Sequence, residues 1–263
     1  MDADGRLCLR NPAHRAEYSH IRYQTGDQAM IDLYTAATPN GQKIHIMLEE
    51  CGLEFEEHWV DIDAGDQFEP DFLAISPNNK IPALVDQDGP EGRISLFESG
   101  AILLYLAEKT GKFLPKEPNK RWETIQWLMW QIGGFGPLLG QAHHFNKYAP
   151  ENPSGPVVLP YAQARYTNEA ARLYDVLDKR LADNEYVAAG QYTIADMAIF
   201  PWCRLYERQG QNIDDFPNVE RWFEMIAARP AVAKDMEQLE DIVGEWDEES
   251  WEVSFGNRQR TQQ

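Results

Sequence analysis

Polar and apolar residues alternate over Ile31–Thr35, which reads as a strand. The period then lengthens. Ile44, Met47, Leu48 and Cys51 recur at helical spacing behind Pro39-Asn40-Gly41, and Gly52 supplies a stop. A second strand is expected over 55–62, and a short helix or ordered loop over 67–74. Ala83–Asp86 and Ile94–Phe97 flank Asp88-Gly89, a turn signal between antiparallel strands. A further helix is predicted over 99–109, ending before Gly111.

The order βαβ followed by αββα is that of a thioredoxin-like α+β domain, placed at 30–116. Pro115-Lys116-Glu117-Pro118-Asn119 is a linker by composition. Beyond it the strand pattern disappears, and 122–135, 161–182, 193–207, 218–228 and 231–243 carry helical spacing. An all-helical domain is therefore expected over 117–245. In Thr193-Ile194-Ala195-Asp196 a hydroxyl and a carboxylate stand three apart before an apolar run, a capping box with Asp in the usual Glu position. Residues 1–29 form an N-terminal extension and 246–263 an acidic tail, both outside this core.

With 263 residues, 43% hydrophobic, the chain has ample material for one or two cores. The formal net charge of −19 argues against nucleic-acid or anionic-membrane partners, which need basic patches. It also means that an anionic ligand must be held by local donors against an unfavourable overall field. Cys8, Cys51 and Cys203 are widely spaced and define neither a disulfide framework nor a zinc site. No run approaches a membrane span, and the first thirty residues lack an apolar signal core. A reducing, cytoplasmic compartment is the simpler expectation. His143 and His144 are adjacent and point to different helix faces, which argues against a metal site.

The stretch Asn78-Asn79-Lys80-Ile81-Pro82-Ala83-Leu84-Val85 puts an X-Pro step at the start of a strand. Such bonds lose most of the trans preference, so a cis proline is expected there. Lacking a ladder N–H, the proline must lie at or beside the strand start. The turn exposes the Ile81 backbone to a peptide-like ligand. Glu98-Ser99-Gly100 then opens a helix whose free N–H groups and positive dipole end suit a carboxylate. Together these describe a site for a small anionic peptide.

Thioredoxin-like domains with their own redox chemistry carry cysteine at the first strand-to-helix turn. Here that turn is Thr38-Pro39-Asn40-Gly41. Cys51 falls near the helix C-terminus, where the dipole opposes thiolate formation. The reactive sulfur is therefore expected to come from a ligand, with the Thr38 hydroxyl, the Asn40 amide and the helix N–H groups as donors. On the local sequence alone, Thr38 and Asn40 read first as helix caps. Tyr34 lies inside the strand and reads as a packing residue.

Thr38-Pro39-Asn40-Gly41 together with Ser76-Pro77-Asn78-Asn79-Lys80-Ile81-Pro82 resembles the nu class of glutathione transferases, and the likeness extends over roughly 31–243. The resemblance implies that Thr38 stands where other glutathione transferases place Ser or Cys, with Asn40 as its partner in catalysis. It further implies that Gln67, Lys80, Ile81, Glu98 and Ser99 bind glutathione. Ile81 would pair through its backbone with the cysteinyl unit, Ser99 would meet the γ-glutamyl carboxylate, Glu98 its ammonium, and Lys80 would offset the glycyl carboxylate. By the same comparison Arg165 anchors a second anionic ligand, with His144 and Tyr166 in that second pocket. The Thr193–Asp196 box is similar to one in the family's helical domain. The implied activity is glutathione-dependent disulfide reduction by a homodimer, with glutathione or its disulfide as partner and no metal. Conjugation of glutathione to electrophiles, thioether cleavage and a non-catalytic glutathione-binding role stay open at this level.

Overall fold

The computed structural model of the protein describes residues 30–239, 246–257 and 259. The 1–29 extension, Cys8 among it, lies outside the described residues. Strand β1 (Ile31–Thr35) runs parallel to β2 (Glu56–Trp59) and antiparallel to β3 (Ala83–Asp86), and β3 pairs antiparallel with β4 (Ile94–Phe97). The sheet order is β2-β1-β3-β4. Helix α1 (Pro39–Cys51) connects β1 to β2, and α2 (Pro70–Leu73) precedes β3. Helix α3 (Ser99–Thr110) follows β4.

The two-residue period divides the sheet's side chains between two cores. Leu33 and Leu84 face Ile44 and Met47 of α1 and Leu103 of α3. Tyr34, Ala83 and Val85 face the other way, onto Val60, Phe72 and Ile75. Tyr34 is thus a packing residue, stacked on His58 at 4.5 Å. Strand β2 is shorter than its own pattern predicts. Its ladder ends at the Thr35–Trp59 pair because β1 turns away there toward α1. That turn is tight: a Cβ on Gly41 would lie 2.4 Å from the Ala36 carbonyl oxygen, so only glycine lets α1 begin so close to the strand end.

The second layer is helical. Helix α4 (Pro118–Trp130) passes through a π-helical turn at Gln131–Phe135 into α5 (Gly136–His143), and a second such turn spans His144–Tyr148. Then come α6 (Pro160–Ala182), α7 (Ile194–Cys203), α8 (Pro217–Ala227), α9 (Pro230–Leu239) and α10 (Glu248–Phe255). The fold is the expected thioredoxin-like domain joined to an all-helical one. Leu128, Phe135, Met197 and Phe200 join the cluster that contains Ile44 and Leu103, so the two domains share one core. Around it Arg229 grips Glu50 through two bonds of 2.6 and 2.9 Å, and Lys234 reaches Glu49 at 2.5 Å. No described helix is long and apolar enough to cross a membrane.

Helix α7 starts where the capping box predicts. The Thr193 hydroxyl accepts from Ala195 N–H at 3.3 Å, and Asp196 accepts from Thr193 N–H at 2.9 Å. Asp196 does more than cap. Its other oxygen takes the Val187 N–H at 2.9 Å and the Trp222 indole at 3.0 Å, tying the preceding loop and α8 to α7. The helix was expected to reach 207 but stops at Cys203, where the Gln209 side chain takes the Trp202 carbonyl at 2.8 Å. Replacing Asp196 by Ala leaves three buried N–H donors without acceptors, each costing about 1–3 kcal/mol, and also removes the acceptor of the Thr193 hydroxyl. Urea unfolding is expected to show a loss of roughly 3–9 kcal/mol for Asp196→Ala, against about 1 kcal/mol for Thr193→Ala. A loss below about 1 kcal/mol for Asp196→Ala would contradict this account of the box.

Candidate active site

A cavity of about 810 Å³ opens between the N-terminal ends of α1 and α3 and the helical layer. Of the residues expected at a site, Asn40, Lys80, Glu98, Ser99 and His144 line it. Thr38 and Ile81 flank that wall in sequence, next but one to Asn40 and next to Lys80.

Thr38 is the N-cap of α1, and its hydroxyl oxygen accepts from Gly41 N–H at 3.1 Å. Accepting at oxygen leaves the hydroxyl proton available to donate. Asn40 is oriented from the other domain: the Trp202 indole donates to its Oδ1 at 3.1 Å. An indole N–H can only donate, so the amide must turn its carbonyl to Trp202 and keep its two Nδ2 protons for the cavity. Gly140 makes room for this, since a Cβ there would crowd the Trp202 ring at 3.2 Å. The α1 N-terminus thus carries neutral donors and no cysteine. Cys51 and Cys203 are both buried, and burial raises both thiols above the usual range.

The Ile81–Pro82 bond is cis, as the sequence predicts, and the Ser76 hydroxyl holds the Lys80 carbonyl at 2.8 Å beside it. Glu98 has a φ of 71°, a left-handed backbone that non-glycine residues rarely adopt. Holding it costs on the order of 1–3 kcal/mol, and such strain concentrates at ligand clamps. Ser99 starts α3 directly behind it and is buried.

Besides Thr38 and Ile81, three expected residues stand outside the cavity wall. Gln67 is buried in the turn Asp66–Phe68, where its amide donates to the Ile62 carbonyl at 3.0 Å and its Oε1 has no partner. Arg165 is exposed on α6, 3.8 Å from Glu169. Tyr166 stacks on Phe145 at 5.4 Å, so it supports the wall through that ring.

The cavity also holds residues that the sequence did not single out. Lys43 and Gln131 lie at its floor, both buried. Lys43 falls on the same helical stripe as Met47, and a lysine inside an apolar stripe is the signal that marks it. The opposite wall is aromatic: Phe145, Tyr148, Trp251 and Phe255. The last two belong to α10, within the segment read as an acidic tail. His144 sits between them, 4.8 Å from the Phe255 ring and 6.2 Å from that of Trp251. Burial lowers His144 below the usual imidazole range, which favours its neutral form. Away from the cavity, Asp32, Glu56 and His58 bring possible metal-ligand atoms within 4.8 Å. His58 and Gln87 already bond the two Asp32 oxygens, at 2.9 and 3.0 Å.

Comparison with known proteins identifies the family. The family model of the glutathione S-transferase N-terminal domain matches residues 37–109, and that of the C-terminal domain matches 162–230. The chain is 52% identical over 207 residues to the disulfide-bond oxidoreductase YfcG of Escherichia coli, covering 78% of this chain and 94% of the relative. It is 45% identical to YghU, a disulfide-bond oxidoreductase of the same organism, over 78% of this chain and 73% of the relative. Among solved structures, a glutathione transferase family member from Pseudomonas fluorescens, crystallised with two glutathione bound, superposes with a TM-score of 0.74 at 48% identity, over 80% of this chain and 93% of the other. A glutathione transferase from Pseudomonas putida, with one glutathione disulfide per subunit, gives 0.75 at 42% identity, over 84% and 94%. The chain belongs to the glutathione S-transferase family.

Proposed function

We propose that this protein is a glutathione-dependent disulfide-bond oxidoreductase in which the thiolate of bound glutathione is the nucleophile, held by Thr38 and Asn40. The observation that carries this reading is a helix N-terminus armed with neutral donors and lacking a cysteine, in a protein whose described thiols are buried. Its likeness to YfcG and YghU supports the same reaction. Lowering a thiol from about 8.5 by two units needs roughly 2.7 kcal/mol. Hydrogen bonds to a charged acceptor contribute about 1.5–3 kcal/mol each, and a helix N-terminus about 0.3–1. No charged base is required.

In this reading Ser99 and the α3 N-terminus receive the γ-glutamyl carboxylate, Glu98 its ammonium, the Ile81 backbone the cysteinyl unit, and Lys80 the glycyl carboxylate. Gln67 steadies the adjoining loop through Ile62. Arg165 meets a second anionic ligand at the mouth, beside the wall that His144 and Tyr166 help to build. The glutathione thiolate attacks one sulfur of the disulfide, forming a mixed disulfide and expelling the other sulfur as a thiolate, which takes up a proton. A second glutathione thiolate then attacks the glutathionyl sulfur and releases the second product thiol and glutathione disulfide. A reducing cytoplasm would maintain the glutathione supply.

The aromatic wall favours one further reading, transfer of glutathione to an aromatic electrophile. Turnover of a disulfide, a chloroarene and a glutathionyl ketone separates these reactions.

Replacing the cysteines at 8, 51 and 203 together by Ser or Ala is expected to leave most disulfide-reductase activity in the folded protein. Changing both Thr38 and Asn40 to Ala is expected to slow the reaction roughly tenfold to a thousandfold, since two donors contribute about 1–2 kcal/mol each. The opposite pattern in the pH–rate profiles of the two proteins would assign the sulfur to the protein.

We also propose a two-fold dimer. Trp122 and Met129, two helical turns apart on α4, are 67% and 45% exposed, and Phe97 on the edge strand is 38% exposed. An isologous contact would cover such apolar surface. Light scattering is expected to give about twice the 30.2 kDa of one chain. A stable monomer at micromolar concentration would remove this assignment.

A further inference from the structure

Lys43 is 1% exposed, yet it lines the cavity. Its ammonium donates to Gln131 Oε1 at 2.7 Å and to Ser99 Oγ at 3.3 Å. Both partners are neutral, and among the described residues no carboxylate forms an ion pair with it. An ammonium has three protons and no acceptor, so two are used and a third is left for the cavity. The same rule orients its neighbours. Ser99, accepting from Lys43, turns its hydroxyl proton away from it. Gln131 must present its carbonyl to Lys43, which leaves Nε2 at the far end, and that atom is buried without a partner. Lys43, Ser99 and Gln131 therefore offer donors without a matching acceptor, the chemistry of an anion site.

We propose that Lys43 is a positioning residue and an internal counter-ion at the carboxylate end of this cavity, fixing Ser99 and Gln131 as donors and coupling the binding of an anionic ligand to the uptake of a proton. This rests on the reading of the cavity as a glutathione site. With no carboxylate bonded to it, the buried ammonium loses its proton easily: burial pushes Lys43 down to about 7, and the charge of the Glu98 carboxylate only partly opposes the shift. A bound carboxylate favours the charged form and raises it again. The complex then holds more protons than the free protein above pH 7, so affinity falls as pH rises through that window and is level below it.

Other groups surround Lys43. Glu98 and Lys80 share its side of the cavity, and His144 and Tyr148 stand on the facing wall, His144 lowered and Tyr148 raised by burial. Cys203 on α7 is raised by burial and stays a neutral thiol. On α9, packed along α1, Asp235 bonds Gln42 at 3.0 Å and burial pushes it up to about 7. Glu57 on β2 is also pushed up by burial to about 7, beside His45 at 3.6 Å. Comparison with Lys43 variants cancels these contributions.

The test is calorimetric titration of the full chain with S-methylglutathione, which has no thiol to release a proton, between pH 6.5 and 8.5 in buffers of differing ionisation enthalpy. The wild type is expected to take up part of a proton above pH 7, with affinity falling by up to about tenfold per pH unit. Lys43→Met is expected to bind at least about tenfold more weakly at pH 7 and to lose the pH dependence. Gln131→Glu gives the lysine a permanent counter-ion at similar volume, so uptake is expected to vanish and affinity for the anionic probe to drop. Binding without uptake in the wild type, or the same uptake and pH profile in either variant, overturns the proposal while leaving the glutathione site intact. No binding of the probe by the wild type overturns both.

Discussion

Helix Pro39–Cys51 is buried on two sides at once, and the site depends on that constraint. One side packs on Leu33 and Leu84 of the sheet; the other meets α7 and α9 of the helical layer. A helix held in this way cannot slide or turn without breaking contacts in both domains. Its first turn is fixed most tightly, because Trp202 reaches from the helical domain to bond Asn40 and Gly41 sits against the end of β1. The donors at the cavity are therefore placed by the domain interface rather than by a loop. Preorganised donors of this kind need no rearrangement as negative charge develops on sulfur.

The cavity has two halves of different chemistry. The thioredoxin-like side offers hydrogen-bond donors and two lysines in a chain whose formal charge is −19. The helical side offers rings from His144, Phe145, Tyr148, Trp251 and Phe255. The first half suits the polar backbone and carboxylates of a peptide. The second suits an apolar or aromatic group. Acidity elsewhere on the protein makes the local cations matter more, because the general field opposes anionic ligands.

Much of the fold is legible because its signals are local. The cis Ile81–Pro82 step, the Thr193–Asp196 box and the Gly52 and Gly111 stops each act over a few residues, and each appears where the pattern places it. The length of β2 was not legible because a strand is as long as its partner allows, and β1 ends at Thr35. The floor of the site failed for the same kind of reason. Lys43 bonds residues 56 and 88 positions away, and Asn40 meets Trp202 across 162. No window of sequence contains both partners. Helix Glu248–Phe255 was hidden by its acidic composition, although Trp251 and Phe255 stand four apart, a spacing that marks one helical face.

The central claim is that neutral donors fixed across the domain interface stabilise a thiolate belonging to the ligand. Its most direct test is the thiol pKa of bound glutathione, followed by thiolate absorbance against pH in a cysteine-free background, with Trp202→Phe beside the parent. Phenylalanine keeps an aromatic ring there, though a smaller one, and cannot hold the Asn40 carbonyl, so the amide loses its fixed orientation. The account predicts that the bound thiol titrates well below the free value of about 8.5 in the parent and moves up by roughly half a unit to one unit in Trp202→Phe. A bound thiol that titrates like free glutathione in both proteins would contradict it.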